Sequence, residues 1–213
     1  MLSASQQDDK IAWYENDGGE SFTEHTITQT ADQAWGVFAA DVDGDGDIDV
    51  LSASNRDDTI AWYENNGSQN FTERVISTTA DGAVSVFAAD LDGDADMDVV
   101  TAASAGNEVT WYENDGNESF TPHTITTTAN GVHSVFAADV DGDGDMDVLS
   151  ASASDDTIAW YENDGSQNFS KQTISSAADG ASAVFAADVD SDGDLDVLST
   201  SFNDHKIGWF EHN

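Results

Sequence analysis

The sequence has no cysteine, a single proline (Pro122) and only 5 basic side chains in 213 residues. Without cysteine there can be no disulfide, no zinc–thiolate site and no thiol nucleophile, although this does not fix the compartment. Against those few cations stand 43 acidic residues, giving a formal charge of −38. Phosphate recognition needs clustered lysine and arginine, so nucleic acid is excluded as a partner, and so is an anionic membrane surface. No run of about 18 apolar residues occurs, so membrane insertion by a helix is not expected. Helical periodicity is missing too. The opening Met1-Leu2-Ser3-Ala4-Ser5 has neither a basic start nor an apolar core, unlike a secretory signal. Hydrophobic content is low at 38%, yet it gathers in short, regular segments, which argues against disorder.

What the chain has in abundance is aspartate at alternate positions. Asp41, Asp43, Asp45, Asp47 and Asp49 fill places 1, 3, 5, 7 and 9 of a short loop carrying Gly44 and Gly46. The pattern returns as Asp90, Asp92, Asp94, Asp96 and Asp98, as Asp139, Asp141, Asp143, Asp145 and Asp147, and as Asp188, Asp190, Asp192, Asp194 and Asp196. Alternate residues of a tight loop can point inward together. Unscreened by a cation, each such pair of carboxylates near 4 Å costs about 1 kcal/mol even in water. A hard cation such as Ca²⁺ collects about six to eight oxygens. The pattern therefore predicts four calcium loops, one ion each. Their role is expected to be structural, since the loop surrounds the ion and no acid or base partner stands close by.

Each loop follows the last by 49 residues, and Trp13, Trp62, Trp111, Trp160 and Trp209 keep the same step. A fixed period of this size marks a repeat architecture. In one unit, Val37–Ala40 is an apolar strand that ends in the acid loop, and Asp49–Ser54 is a second strand, paired with it as in a hairpin. Residues 55–58 form a turn, Ile60–Glu64 alternates as a third strand, residues 65–68 turn again, and Phe71–Ile76 is a more polar fourth strand. Four short antiparallel strands per repeat predict an all-β fold, a β-propeller of 49-residue blades. The array is one domain, 1–213: a partial blade over 1–30, blades over 31–79, 80–128 and 129–177, and a partial blade over 178–213. The first lacks its inner strand and the last its outer strand. Two arrangements fit: a five-bladed ring with two incomplete blades, favoured here, or an open array whose ends complete one another between chains. Residues 1–5 match Val50–Ser54, so the chain is expected to be part of a longer protein.

These loops, flanked by Val-Phe-Ala-Ala and Asp-Val-Leu-Ser, resemble FG-GAP/VCBS repeats over essentially the whole chain. Such repeats build the propeller of integrin α-subunits, some calcium-dependent fungal lectins and many secreted bacterial and algal proteins. The resemblance implies Ca²⁺ ligands at loop positions 1, 3, 5 and 9, with the position 7 carbonyl supplied by Asp47, Asp96, Asp145 and Asp194. The second loop departs from the pattern with Ala95 where the others have glycine; if that position needs a positive φ, alanine costs roughly 1 kcal/mol. Ser191 replaces a glycine at position 4, a milder change. The Gly-Ala-Pro element of the family is absent, so integrin-style ligand binding does not transfer.

The tryptophan column is expected to be inter-blade core. His25 and His123 share a column with Arg74 and Gln172, so no catalytic constellation is held there and no enzyme activity is expected. Ligand contacts are expected where the repeats differ, at Trp35, Arg56, His133 and Phe202. Asn66, Asn70, Asn117 and Asn168 head sequons on turns and are candidate glycosylation sites. The reading is a calcium-binding extracellular or cell-surface module for adhesion, protein interaction or structural assembly. Its partner is a protein or a glycan, with self-association through the incomplete end blades; the alternative is a calcium-dependent carbohydrate-binding lectin.

Overall fold

Each repeat spends its β-branched and aromatic residues in runs of five to seven separated by Gly, Asn and Asp. In the computed structural model, which describes residues 1–212, those runs are strands and the separators are turns. The final residue of the expected terminal blade, Asn213, lies outside the described residues. The first sheet holds three strands, β1 (Leu2–Ser5), β2 (Lys10–Asn16) and β3 (Phe22–Thr28). The second holds four: β4 (Ala34–Ala40), β5 (Asp49–Ser54), β6 (Thr59–Asn65) and β7 (Phe71–Ser77). The third repeats it with β8 (Ala83–Ala89), β9 (Asp98–Ala103), β10 (Glu108–Asn114) and β11 (Phe120–Thr126). The fourth is β12 (Val132–Ala138), β13 (Asp147–Ser152), β14 (Thr157–Asn163) and β15 (Phe169–Ser175). A three-stranded sheet closes the series, β16 (Ala181–Ala187), β17 (Asp196–Ser201) and β18 (Lys206–Phe210).

All pairings are antiparallel and follow chain order. The acid loop joins β4 to β5 as a hairpin closed by the pair Ala40 and Asp49. The inner strand is longer than the apolar run Val37–Ala40, because it continues back through Gly36 and Trp35 to Ala34. A register shift between Ala34 and Gly36 hid that extension from a period-2 reading. Gly36 is held by space: a Cβ there would lie 2.8 Å from the Val84 carbonyl oxygen of the next inner strand.

Both faces of the interior sheets are covered, so the second strand of each, Asp49–Ser54, Asp98–Ala103 and Asp147–Ser152, is buried at every residue. One face carries the tryptophan and packs on the tyrosine-bearing face of the following sheet. Leu51, Ile60 and Trp62 thus meet Val99, Ala103 and Tyr112, and Val100, Val109 and Trp111 meet Val148, Ala159 and Tyr161. Burying an aromatic of this size removes about 150–250 Å² from water, on the order of 4–6 kcal/mol each. Of the interior members of the expected tryptophan core, Trp62 and Trp111 are fully buried and Trp160 is half-buried. Between the inner strands, Phe38, Phe87, Phe136 and Phe185 form a ladder with ring centroids 4.4, 4.7 and 4.6 Å apart. At the last sheet the tryptophan-bearing face is uncovered, leaving Ile207 82% and Trp209 50% exposed.

Candidate metal centre

Tight turning after the inner strand is made possible by left-handed backbone at loop positions 4 and 6. Gly44, Gly93, Gly142 and Ser191 lie at φ 73, 80, 76 and 68°; Gly46, Ala95, Gly144 and Gly193 lie at 94, 79, 100 and 104°. Position 6 therefore does need a positive φ. In the second loop the backbone has retreated toward the left-handed well that an alanine can occupy. Ser191 sits in that well as well, so both departures from glycine carry the same kind of strain.

The folded loop brings three carboxylates together in each repeat. Oxygens of Asp41, Asp43 and Asp45 lie within 4.8 Å of one another, as do those of Asp90, Asp92 and Asp94. In the third and fourth loops the trio is Asp139, Asp141 and Asp147, and Asp188, Asp190 and Asp196. Positions 1 and 3 thus take part everywhere, joined by position 5 in two loops and by position 9 in the other two. The side chain of position 7 goes elsewhere: a Cβ on Gly67, Gly116 or Gly165 would meet Asp47, Asp96 or Asp145, so these carboxylates lie over the neighbouring turn. That leaves position 7 only its carbonyl to offer the loop centre.

Within each loop, backbone N–H groups hold the aspartates. Asp41 Oδ2 accepts from Gly46 N at 3.0 Å, Asp43 Oδ1 from Asp45 N at 3.1 Å, and Asp45 Oδ1 from Asp47 N at 2.8 Å. The position 9 aspartates Asp49, Asp98, Asp147 and Asp196 are completely buried. Asp98 accepts from Leu91 N and Asn114 N, both at 2.8 Å, and Asp147 from Val140 N at 3.0 Å and Asn163 N at 2.8 Å. Burial nevertheless pushes the Asp98 carboxyl up to about 7 and that of Asp147 up to about 6. Asp49, Asp43, Asp92 and Asp141 are raised as well, chiefly by burial, with the neighbouring loop carboxylates adding to it. Asp196, with no sheet beyond it, is lowered: burial raises it, but N–H groups of His212 and Val189 outweigh that.

The donor set is oxygen only, which suits a hard cation such as Ca²⁺ and not a thiolate- or imidazole-seeking metal. Asp41 Oδ1 is buried without a hydrogen-bond partner, a lone pair that a cation in the loop would satisfy. The residues present therefore fit the group that the pattern implies.

The candidate ligand contacts Trp35, Arg56, His133 and Phe202 lie at the opposite end of the strands, whereas the turns that carry the sequons lie beside the acid loops. Trp35 and His133, two sheets apart, meet edge to face with centroids 6.1 Å apart. Trp35 is 43% and Phe202 76% exposed, and exposed Arg56 reaches Asp32 at 3.9 Å. Asn66, Asn70, Asn117 and Asn168 are exposed on the turns between third and fourth strands. The histidine column has a packing role: His25 and His123 stack on Trp13 and Trp111 at 4.2 and 4.6 Å and bond Glu15 and Glu113. Arg74 does the same over Trp62, 5.5 Å from the ring, while bonded to Glu64. Sequence reasoning missed Asn114 and Asn163, which close the buried end of the loops. Their signal was the repeated Tyr-Glu-Asn at residues 14–16, 63–65, 112–114 and 161–163.

A family model described as FG-GAP-like repeat matches residues 1–52, 41–101, 90–150 and 139–199. No curated protein matches the chain in sequence. Among solved structures, a lectin from Agrocybe aegerita, described as recognising non-reducing terminal N-acetylglucosamine, is 18% identical with a TM-score of 0.59. That match covers 93% of this chain and 59% of the lectin, so the chain spans under two thirds of the lectin's length. A catalytically inactive virginiamycin B lyase from Staphylococcus aureus, solved with quinupristin, is 16% identical with a TM-score of 0.67, over 100% of this chain and 66% of the lyase. A streptogramin B lyase is 15% identical with a TM-score of 0.63, over 100% and 68%. At these identities the likeness shows the fold, a repeat β-propeller-like array.

Proposed function

Because this chain belongs to the FG-GAP-like repeat family, we propose that it is a calcium-stabilised propeller module that acts by binding, outside the cell or at its surface, without catalysis. The observation that carries the reading is the fourfold gathering of three carboxylate oxygens within 4.8 Å in loops otherwise destabilised by their own charge. Asp41, Asp43, Asp45 and Asp49, and their counterparts in the other loops, would hold the ion, with the position 7 carbonyl. Bound calcium ties the first strand of each sheet to the second and offsets the charge of the loop. Calcium modules that work outside cells bind at about 10⁻⁴ to 10⁻³ M, a range that suits such half-exposed loops and supports the extracellular reading.

Binding of a protein or glycan partner is assigned to the end away from the metal loops, which carries Trp35, His133, Arg56 and Phe202. A lectin is the second reading, favoured by those exposed rings and by the likeness to the Agrocybe aegerita lectin. Self-association is assigned to the open apolar face around Ile207 and Trp209. Calorimetric titration of chelator-stripped protein with calcium should give about four ions per chain, with magnesium binding far more weakly. Fewer than one calcium per chain at millimolar concentration would reject the reading. In the same calcium, loss of binding on a glycan array after Trp35→Ala selects the lectin reading; an array without hits leaves a protein partner.

A further inference from the structure

The four loops look like separate sites, 49 residues apart in sequence, but hydrogen bonds connect three of them. Val42 N donates to Asp49 Oδ2 at 3.1 Å, closing the first loop on its own buried aspartate. The Val42 carbonyl then accepts from Asn114 Nδ2 at 3.1 Å, a bond that spans 72 residues and is buried. Asn114 belongs to the second loop: its backbone N–H donates to Asp98 Oδ1 at 2.8 Å and its side chain also donates to Met97 O at 3.2 Å. Asp98 Oδ2 in turn accepts from Leu91 N, and Leu91 O accepts from Asn163 Nδ2 at 3.0 Å. Asn163 closes the third loop in the same way, on Asp147 Oδ1 and Met146 O.

The connection breaks at the fourth loop. The residue 49 places after Asn163 is His212, whose backbone N–H still bonds Asp196 at 3.0 Å. Its Nδ1 is buried with no partner, and Val140 O receives no side-chain bond corresponding to those on Val42 and Leu91 among the described residues. Asn65 supplies the internal contrast. Its backbone N–H donates to Asp49 Oδ1 at 2.7 Å and its side chain to Ile48 O at 3.0 Å, but among the described residues its side chain bonds no other loop.

We infer that the first three calcium loops form one cooperative unit and that the fourth binds independently. This rests on the calcium reading above. Each loop has two arrangements, splayed by mutual repulsion of its carboxylates or drawn together around an ion. The position 9 aspartate fixes residue 2 of its loop and the following asparagine at once. Drawing in one loop therefore sets the geometry of its neighbour through a buried bond that cannot be exchanged for water without loss. Coupling is reciprocal, so an ion in any of the three favours ions in the other two, by a factor of about 5 to 150.

Calcium titration by calorimetry on the full chain tests this. The wild type should show about three sites filling with a Hill coefficient of about 2 and a fourth filling separately. Asn114→Ala should bring the coefficient toward 1, while Asn65→Ala, which removes the same side-chain bond inside a loop but no bond between loops, leaves it unchanged. His212→Asn should draw the fourth site into the cooperative set, a gain that general destabilisation cannot imitate. Calcium bound by four independent sites in the wild type, or unchanged cooperativity in both Asn114→Ala and His212→Asn, overturns the inference alone. No calcium binding overturns it together with the reading beneath it.

Discussion

Asp98→Ala is expected to lower the melting temperature by about 4–24 °C, although Asp98 is one acidic residue among 43. Its carboxylate is fully buried and accepts Leu91 N and Asn114 N, each at 2.8 Å. An alanine leaves both donors buried and unpaired, at about 1–3 kcal/mol each, hence about 2–6 kcal/mol in all. In a chain of this length each kcal/mol moves the midpoint by about 2–4 °C. Asp96→Ala, two residues away, should change stability by no more than about 0.5 kcal/mol, because that side chain lies over a turn and fills no buried site. Urea melts of the two variants check the contrast. Equal midpoints would show that the position 9 carboxylates are not the keystones of the loops.

The second large effect is an inverted pH dependence. Held in a chelator, the protein should lose stability as pH rises from about 5 to about 8, where most proteins change little. The Asp98 and Asp147 carboxyls, pushed up to about 7 and about 6 by burial, would titrate near 3.9 in the unfolded chain. Between those limits the folded state binds more protons than the unfolded one. The stabilisation is therefore complete below about pH 4 and disappears as pH rises through about 6 to 7. For Asp98, a rise from 3.8 to about 7 corresponds to about 4 kcal/mol. Saturating calcium should abolish the slope, since the ion takes over from the proton and binds better as protons leave. Thermal midpoints across this range, with and without calcium, decide it. A chelated protein that grows more stable toward pH 8 would contradict the buried-carboxylate account.

Much of this molecule could be read from its repeats. Strand β5 begins and ends where the run Asp49–Ser54 does, and the loop is the hairpin that its position between two apolar runs demanded. Alternation of Ile60, Trp62 and Tyr63 gave the two faces, because a period of two leaves no choice once both faces are covered. What could not be read depends on contacts between repeats. Trp35 and Gly36 look like turn residues until the bulge beside them and the close approach of Val84 are seen. Alternate spacing alone does not say which carboxylates converge, and the side chain of position 7 is the one that lies over the neighbouring turn. Asn114 and Asn163 carry no mark of their reach to Val42 and Leu91, for a polar residue ending a strand usually caps nothing but its own turn. Arg74 and His123 fall in one column with no shared chemistry, and only the tryptophans beneath them explain why either will serve.

The most direct test of the account is the melting temperature at pH 7.5 in millimolar calcium against the same protein in a chelator. Millimolar calcium stands about one- to tenfold above the dissociation constant of such loops, so each ion adds about 0.4–1.4 kcal/mol and four filled loops, at about 2–6 kcal/mol together, should raise the midpoint by at least about 4 °C. An unchanged midpoint would contradict the account, leaving a propeller-like array whose aspartate loops are acidic turns and nothing more.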